Sequence, residues 1–133
     1  MTLTLLLDLD DTLLDTNMDA FIPAYFQSLA GALRDHLDPN LMLPALMSGT
    51  RRMFENQDPA RTLQQVFNDA FFPRLNADRA ALEPHFERYY DEVFPTLGHL
   101  TTPRPAAVEL VEWAFSRGWQ VAIATNPLFP IKA

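Results

Sequence analysis

The strongest constraint on this chain is a cluster of acids at the end of an apolar run. Leu3-Thr4-Leu5-Leu6-Leu7 leads directly into Asp8-Leu9-Asp10-Asp11-Thr12. An almost continuous apolar segment of this length reads as a strand buried on both faces, as in parallel sheets covered by helices. Leucine is a weaker strand former than valine or isoleucine, so the pattern carries the reading more than propensity does. Residues 3–9 are expected to form a strand with the acids at its carboxyl end. Asp8 and Asp10 are two apart, and at that spacing side chains leave a strand on the same side. Carboxylates this close repel one another and invite a divalent cation. Oxygen ligands alone suit magnesium best. One carboxylate can attack phosphorus as a covalent nucleophile. A second can protonate a leaving alkoxide and later deprotonate water.

Helical periodicity dominates the next eighty residues or so. Met18, Ile22, Tyr25, Leu29, Leu33 and Leu37 recur at three- and four-residue steps, which places them on one helix face. Asn17 or Asp19 is a candidate cap, and Pro23 is tolerable in a first turn. Pro39 marks a break before a second helix at 41–55, weakened by Pro44 and Gly49. Leu63, Val66, Phe67, Ala70 and Phe71 outline a third helix, and Leu82, Phe86, Tyr89 or Tyr90, and Val93 a fourth that starts near Pro84. Pro95, Gly98, Pro103 and Pro105 punctuate a loop. A helix at about 104–117 carries the stripe Val108, Val111, Ala114 and Phe115, with Gly118 placed to end it. Trp119–Ala124 reads as a second buried strand, followed by Thr125-Asn126-Pro127. The simplest architecture is a parallel α/β core with a helical module inserted after the first strand. In open α/β sheets ligands bind beyond the carboxyl ends of strands. Residues 8–12 and 125–126 both lie there.

Composition narrows the function classes. The 133 residues suit one compact domain, and 48% are hydrophobic, enough for a core. The formal charge of −7 argues against nonspecific nucleic-acid binding, which needs a basic stripe. A small anionic substrate remains compatible, because a pocket can be locally positive on an acidic protein. No cysteine is present, which removes disulfides, thiolate nucleophiles and cysteine-ligated metals. The first residues lack the basic segment of a signal peptide, and no run is long enough for a membrane span. A cytoplasmic protein without membrane partners is expected. Nine of the ten basic residues are arginines, and Lys132 is the only lysine.

Asp8-Leu9-Asp10-Asp11-Thr12-Leu13, set after its apolar strand, resembles the first motif of the haloacid dehalogenase (HAD) superfamily, Asp-x-Asp-x-Thr. Position 11 is often glycine in that family, and aspartate is a common variant. Asp15-Thr16 is also family-like. Thr125-Asn126, after the Val121–Ala124 strand, resembles the second motif. The spacing matches members whose helical cap is inserted between the two motifs, and the similarity runs from Leu3 to about Pro130.

The resemblance implies a Rossmann-like HAD core at 1–16 and 100–133, with a helical cap at 17–99. It implies that Asp8 is the nucleophile and a magnesium ligand. Asp10 would be the general acid/base, its backbone carbonyl ligating the metal. Backbone amides near Asp10 and Asp11 would hold phosphoryl oxygens, met from the other side by the Thr125 hydroxyl and the Asn126 amide. Dehalogenases of the superfamily lack an acid at the position of Asp10, since displacing halide needs no leaving-group proton. Its presence points to a magnesium-dependent phosphatase of a small phosphorylated metabolite, acting through an aspartyl-phosphate. A non-catalytic binding or interaction protein, a phosphomutase and a phosphonate hydrolase are the alternatives on the same scaffold.

Two elements of the family pattern have no counterpart. The third motif supplies a lysine and the fourth one or two acids, both well after the second motif. Lys132 follows Pro127 and Pro130 too soon to be that lysine. The expectation is therefore that the C-terminal half of the core is absent from this chain. Residues 1–133 would be part of a longer protein or be completed by another chain, and would be inactive alone.

Other constellations read more plainly. An EF-hand loop starting at Asp8 fails, because its sixth position would be Leu13 and its last Asp19. A receiver-type acid pocket has no room for so long a helical insert. Asp15, Thr16 and Asn17 read as the cap of the first helix rather than as substrate contacts near the cap hinge, and Arg51 and Arg52 as solvated surface rather than as a reach from the cap to an anionic substrate. His36, His85 and His99 lack metal-ligand spacing. The aromatics of residues 21–90 read mostly as core of the helical module.

Overall fold

The computed structural model describes residues 2–127 and Phe129. The chain is mixed α/β, mostly helical, with a small parallel sheet. It divides into two compact units. One holds the N-terminal residues through Ala24 and the segment that begins at Thr96; the other is Tyr25–Pro95. Among the described residues no helix is long and apolar enough to cross a membrane.

The first unit is built on β1 (Thr4–Leu7) and β4 (Gln120–Ile123), paired in parallel with Leu7 opposite Ile123. Parallel neighbours need a crossover, and α5 (Pro105–Ser116) supplies its last part, packing on β4. Gly118 ends α5 at φ 70°, a conformation glycine adopts without strain. The N–H groups of Gly118 and Trp119 then close on the carbonyls of Phe115 and Ala114 at 2.9 and 3.0 Å, a Schellman ending.

The sheet corrects one expectation. The apolar strands read as covered on both faces, yet Leu6 is 69% and Ile123 59% exposed. Val108, Leu110, Trp113 and Phe115 of α5 are exposed as well. Two strands and one helix do not enclose a layered core, so the continuous apolar run outlasts the layer that covers it.

A second correction concerns residues 95–105, expected as a loop. A 3-10 segment, Phe94–Leu100, leads into β3 (Thr101–Pro103), which pairs antiparallel with β2 (Leu14–Thr16). The Thr16 and Thr101 hydroxyls hydrogen-bond across this ladder, a cross-strand pair that stabilises even a short ribbon.

The second unit is helical. Helix α1 (Met18–Leu33) carries the chain into it, with Asn17 accepting from the Ala20 N–H at 3.2 Å as its cap. Its buried residues are Phe21, Tyr25, Leu29 and Leu33. Phe21 therefore occupies the place on the stripe that periodicity gives to Ile22. Helix α2 (Pro39–Glu55) is capped by Asp38, and α3 (Leu63–Phe71) by a reciprocal Thr62/Gln65 box. Helix α4 (Arg79–Arg88) starts at the Asp78 cap, well before Pro84, and gives way to a π turn at Tyr89–Val93. Proline is the sixth residue of α1, α2 and α4: Pro23, Pro44 and Pro84. At that depth a proline removes one backbone bond of the second turn and leaves the capped first turn intact.

Two contacts organise this unit. Gly49 of α2 lies against the Phe67 ring of α3, where an added Cβ would come within 2.6 Å of two ring carbons. The Tyr25 and Tyr90 hydroxyls hydrogen-bond at 2.8 Å, within a ring cluster that includes Tyr89 and Phe94. Burial pushes the Tyr90 hydroxyl up to about 12, so it stays neutral at physiological pH.

Candidate functional site

The acids sit where β1 stops. Ala124 donates its N–H to the Leu7 carbonyl at 2.8 Å, the last backbone bond joining the two strands. The parallel register then carries Asp8 and Thr125 off neighbouring strand ends. The Thr125 hydroxyl hydrogen-bonds the Asp8 carboxylate, and the Leu9 N–H donates to Asp8 Oδ1 at 2.8 Å. These donors, Thr125 first, hold the exposed Asp8 carboxyl below its ordinary range.

A tight turn comes next. The Leu9 carbonyl accepts from the N–H groups of Thr12, Leu13 and Leu14 at 3.4, 3.0 and 3.0 Å. Asp11 takes φ 56°, in the left-handed region that glycine, asparagine and aspartate visit most readily. That backbone geometry gives a physical reason for aspartate at a position where the resembling family often has glycine. The turn folds Asp10 inward to partial burial. Desolvation, then the charges of Asp8 and Asp11, raise the Asp10 carboxyl above its ordinary range. Two carboxylates two residues apart are thus biased in opposite directions.

Sequence reasoning missed Arg104. Its guanidinium Nη2 lies 3.6 Å from Asp11 Oδ1 and 3.8 Å from Asp15 Oδ1. Its backbone N–H donates to the Leu13 carbonyl at 2.9 Å, and its Nε is buried without a partner among the described residues. A signal was available. Arg104 is the N-cap of α5 with no side-chain capping bond, and a cation is unfavourable at a helix N-terminus. A residue that caps poorly and opposes the dipole is there for another reason, here the two acids.

The remaining expected site residues are dispersed. Asn126 is exposed one residue beyond Thr125. Asp15 faces Arg104, Thr16 belongs to β2, and Asn17 caps α1. Arg51 pairs with Glu55 at 2.8 Å. His36 and His85 stack with ring centroids 3.6 Å apart. Lys132 lies outside the described residues. Among the described residues no group of three or more His, Cys, Asp or Glu side chains is arranged to hold a metal. Asp8, ionised, and the Asp10 carbonyl are hard oxygen donors. They fit magnesium as part of a set in which water and a substrate phosphate supply the other ligands.

Comparison with family models, with curated proteins and with solved structures gave no match. The functional reading therefore rests on the site itself and on the sequence motifs.

Proposed function

We propose that this chain carries the nucleophile of a magnesium-dependent phosphatase of the HAD type, acting on a small phosphorylated metabolite. The observation that carries the reading is the opposite bias on Asp8 and Asp10. A nucleophilic carboxylate must be ionised, and a general acid must hold its proton. Neighbouring carboxyl groups pushed apart in this way can divide those roles.

In the proposed reaction Asp8 attacks phosphorus in line with the ester oxygen. The Asp8 O–P bond forms as the ester P–O bond breaks, and the Asp10 proton passes to the leaving alkoxide. Asp10, now ionised, takes a proton from water. The water oxygen attacks phosphorus, phosphate leaves, and both carboxyl groups return to their starting states. Thr125, Asn126 and the backbone amides around Asp10 and Asp11 hold the phosphoryl oxygens. Fixed donors of this kind are central to phosphoryl transfer. Magnesium held by Asp8 and the Asp10 carbonyl would offset charge on the phosphoryl group. Residues 17–99 would serve as the cap that excludes water until the second step.

The test is hydrolysis of an aryl phosphate with magnesium by the protein. Asp8→Asn should reduce turnover to background; full retained activity removes the nucleophile assignment.

A further inference from the structure

The helical unit contains a cavity of about 460 Å³ between the C-terminal turns of α2, the loop after it and α3. That volume lies within the range of small-molecule sites. Arg52, Arg61 and Arg74 all line it. Three acids line it too, and each already has a partner. Arg51, from outside the lining, holds Glu55 at 2.8 Å. The Ala60 N–H donates to Asp58 at 2.9 Å, and Arg61 is in close contact with Asp69. Arg74 gives one N–H to the Ala70 carbonyl at 3.4 Å, a long bond. The Arg52 guanidinium forms no ion pair within 4 Å among the described residues, although its charge helps to hold Glu55 ionised. Its place in the last turn of α2 suits the helix dipole. The dipole does not account for Arg74, which reaches the same cavity from beyond α3.

We propose that this cavity binds a small phosphorylated, hydroxyl-bearing metabolite. Arg52 and Arg74 hold the phosphate, and Ser48 and Gln57, which line the same cavity, hydrogen-bond the hydroxyl groups; the Asn56 amide is engaged with the Asp58 backbone. Glu55 and Asp69 are each held by an arginine, while Asp58 keeps its charge against one backbone N–H; Arg52 and Arg74 are the two guanidinium forks in the lining without an ion pair to a carboxylate among the described residues. The planar fork matches phosphate oxygens in pairs, and a dianion balances two such groups. The inference is independent of the Asp8 chemistry, since every lining residue lies between Ser48 and Arg74.

The experiment is an NMR titration of the full-length protein with glucose 6-phosphate, inorganic phosphate and succinate. Without magnesium, glucose 6-phosphate should give saturable shifts at residues 48–61 and 66–74 that persist in Asp8→Asn, with higher affinity than inorganic phosphate. Arg52→Gln and Arg74→Gln should each weaken binding about tenfold, the effect of removing one charge-assisted bond. Arg52→Lys, which keeps the charge but loses the fork, should fall between. Asp8→Asn and Arg34→Gln should leave this binding unchanged. Both target side chains are exposed, so these variants should keep the fold. Unsaturable shifts, an equal response to succinate, equal affinity for inorganic phosphate, or unchanged affinity in both glutamine variants would each overturn the proposal.

Discussion

The Thr125 hydroxyl hydrogen-bonds the Asp8 carboxylate across the ends of two adjacent parallel strands. Strands β1 and β4, first and last among the described residues, share a polar site because β4 lies in register beside β1. With the Leu9 N–H, that bond favours the ionised form of Asp8. One turn of backbone away, burial and two neighbouring charges favour the proton on Asp10. The contrast yields predictions about pH.

Activity should follow a bell with both limbs displaced from an ordinary carboxylate. Protonating Asp8 sets the acid limb, below the usual range; ionising Asp10 sets the alkaline limb, above it. The limbs belong to the coupled pair rather than to either residue alone. A kcat/KM profile checks this, and Asp10→Asn should remove the alkaline limb along with most of the rate.

The same shift has a consequence for stability. A carboxyl raised on folding supports the fold below its unfolded pKa and loses that support as pH rises through its folded pKa. Ionised Asp10 is then a liability at neutral pH. Asp10→Asn should melt above the parent at pH 7, and the gap should close on acidification below the carboxylate range. Melting curves across pH measure this; an Asp10→Asn variant less stable at pH 7 contradicts it.

Gly49 sets the approach of α2 and α3. Alanine is the better helix former by about 1 kcal/mol, but its Cβ would meet the Phe67 ring at 2.6 Å. Overpacking of this kind costs roughly 1–3 kcal/mol, so Gly49→Ala should destabilise. Phe67→Leu in the Gly49→Ala background should recover part of the loss. Urea unfolding of the two variants decides it.

Apolar residues of similar size should differ sharply. Leu29 is fully buried and Leu6 is 69% exposed. Leu29→Ala should cost about 2–5 kcal/mol through lost burial and a cavity. Leu6→Ala should stay within roughly 0.5 kcal/mol. Chemical denaturation separates the two.

The legible parts of this chain are those set by local chemistry. An apolar run ending in acids marks a strand end, and Gly118 after an apolar stripe marks a helix end. Features that depend on distant partners are not legible. Three-residue strands such as Leu14–Thr16 have too little pattern, and their pairing with Thr101–Pro103 is fixed only in three dimensions. Arg104 reaches Asp11 and Asp15 through that pairing, so its role is hidden with it. Pro84 suggests a helix start, but the Asp78 cap sets the true one, because a side-chain acceptor for the first N–H groups outweighs a tolerated proline. The exposed face of Leu6 and Ile123 is beyond reach, because an apolar strand does not state how many layers cover it.

Acyl-phosphate trapping tests the central claim most directly. The full-length protein is mixed with magnesium and an aryl phosphate, quenched, and reduced with borohydride, which converts a phosphorylated aspartate to homoserine. Peptide mass spectrometry should place the conversion at Asp8 and find it absent in Asp8→Asn. Hydrolysis of the ester with no conversion at Asp8, or conversion at another aspartate, would contradict the account.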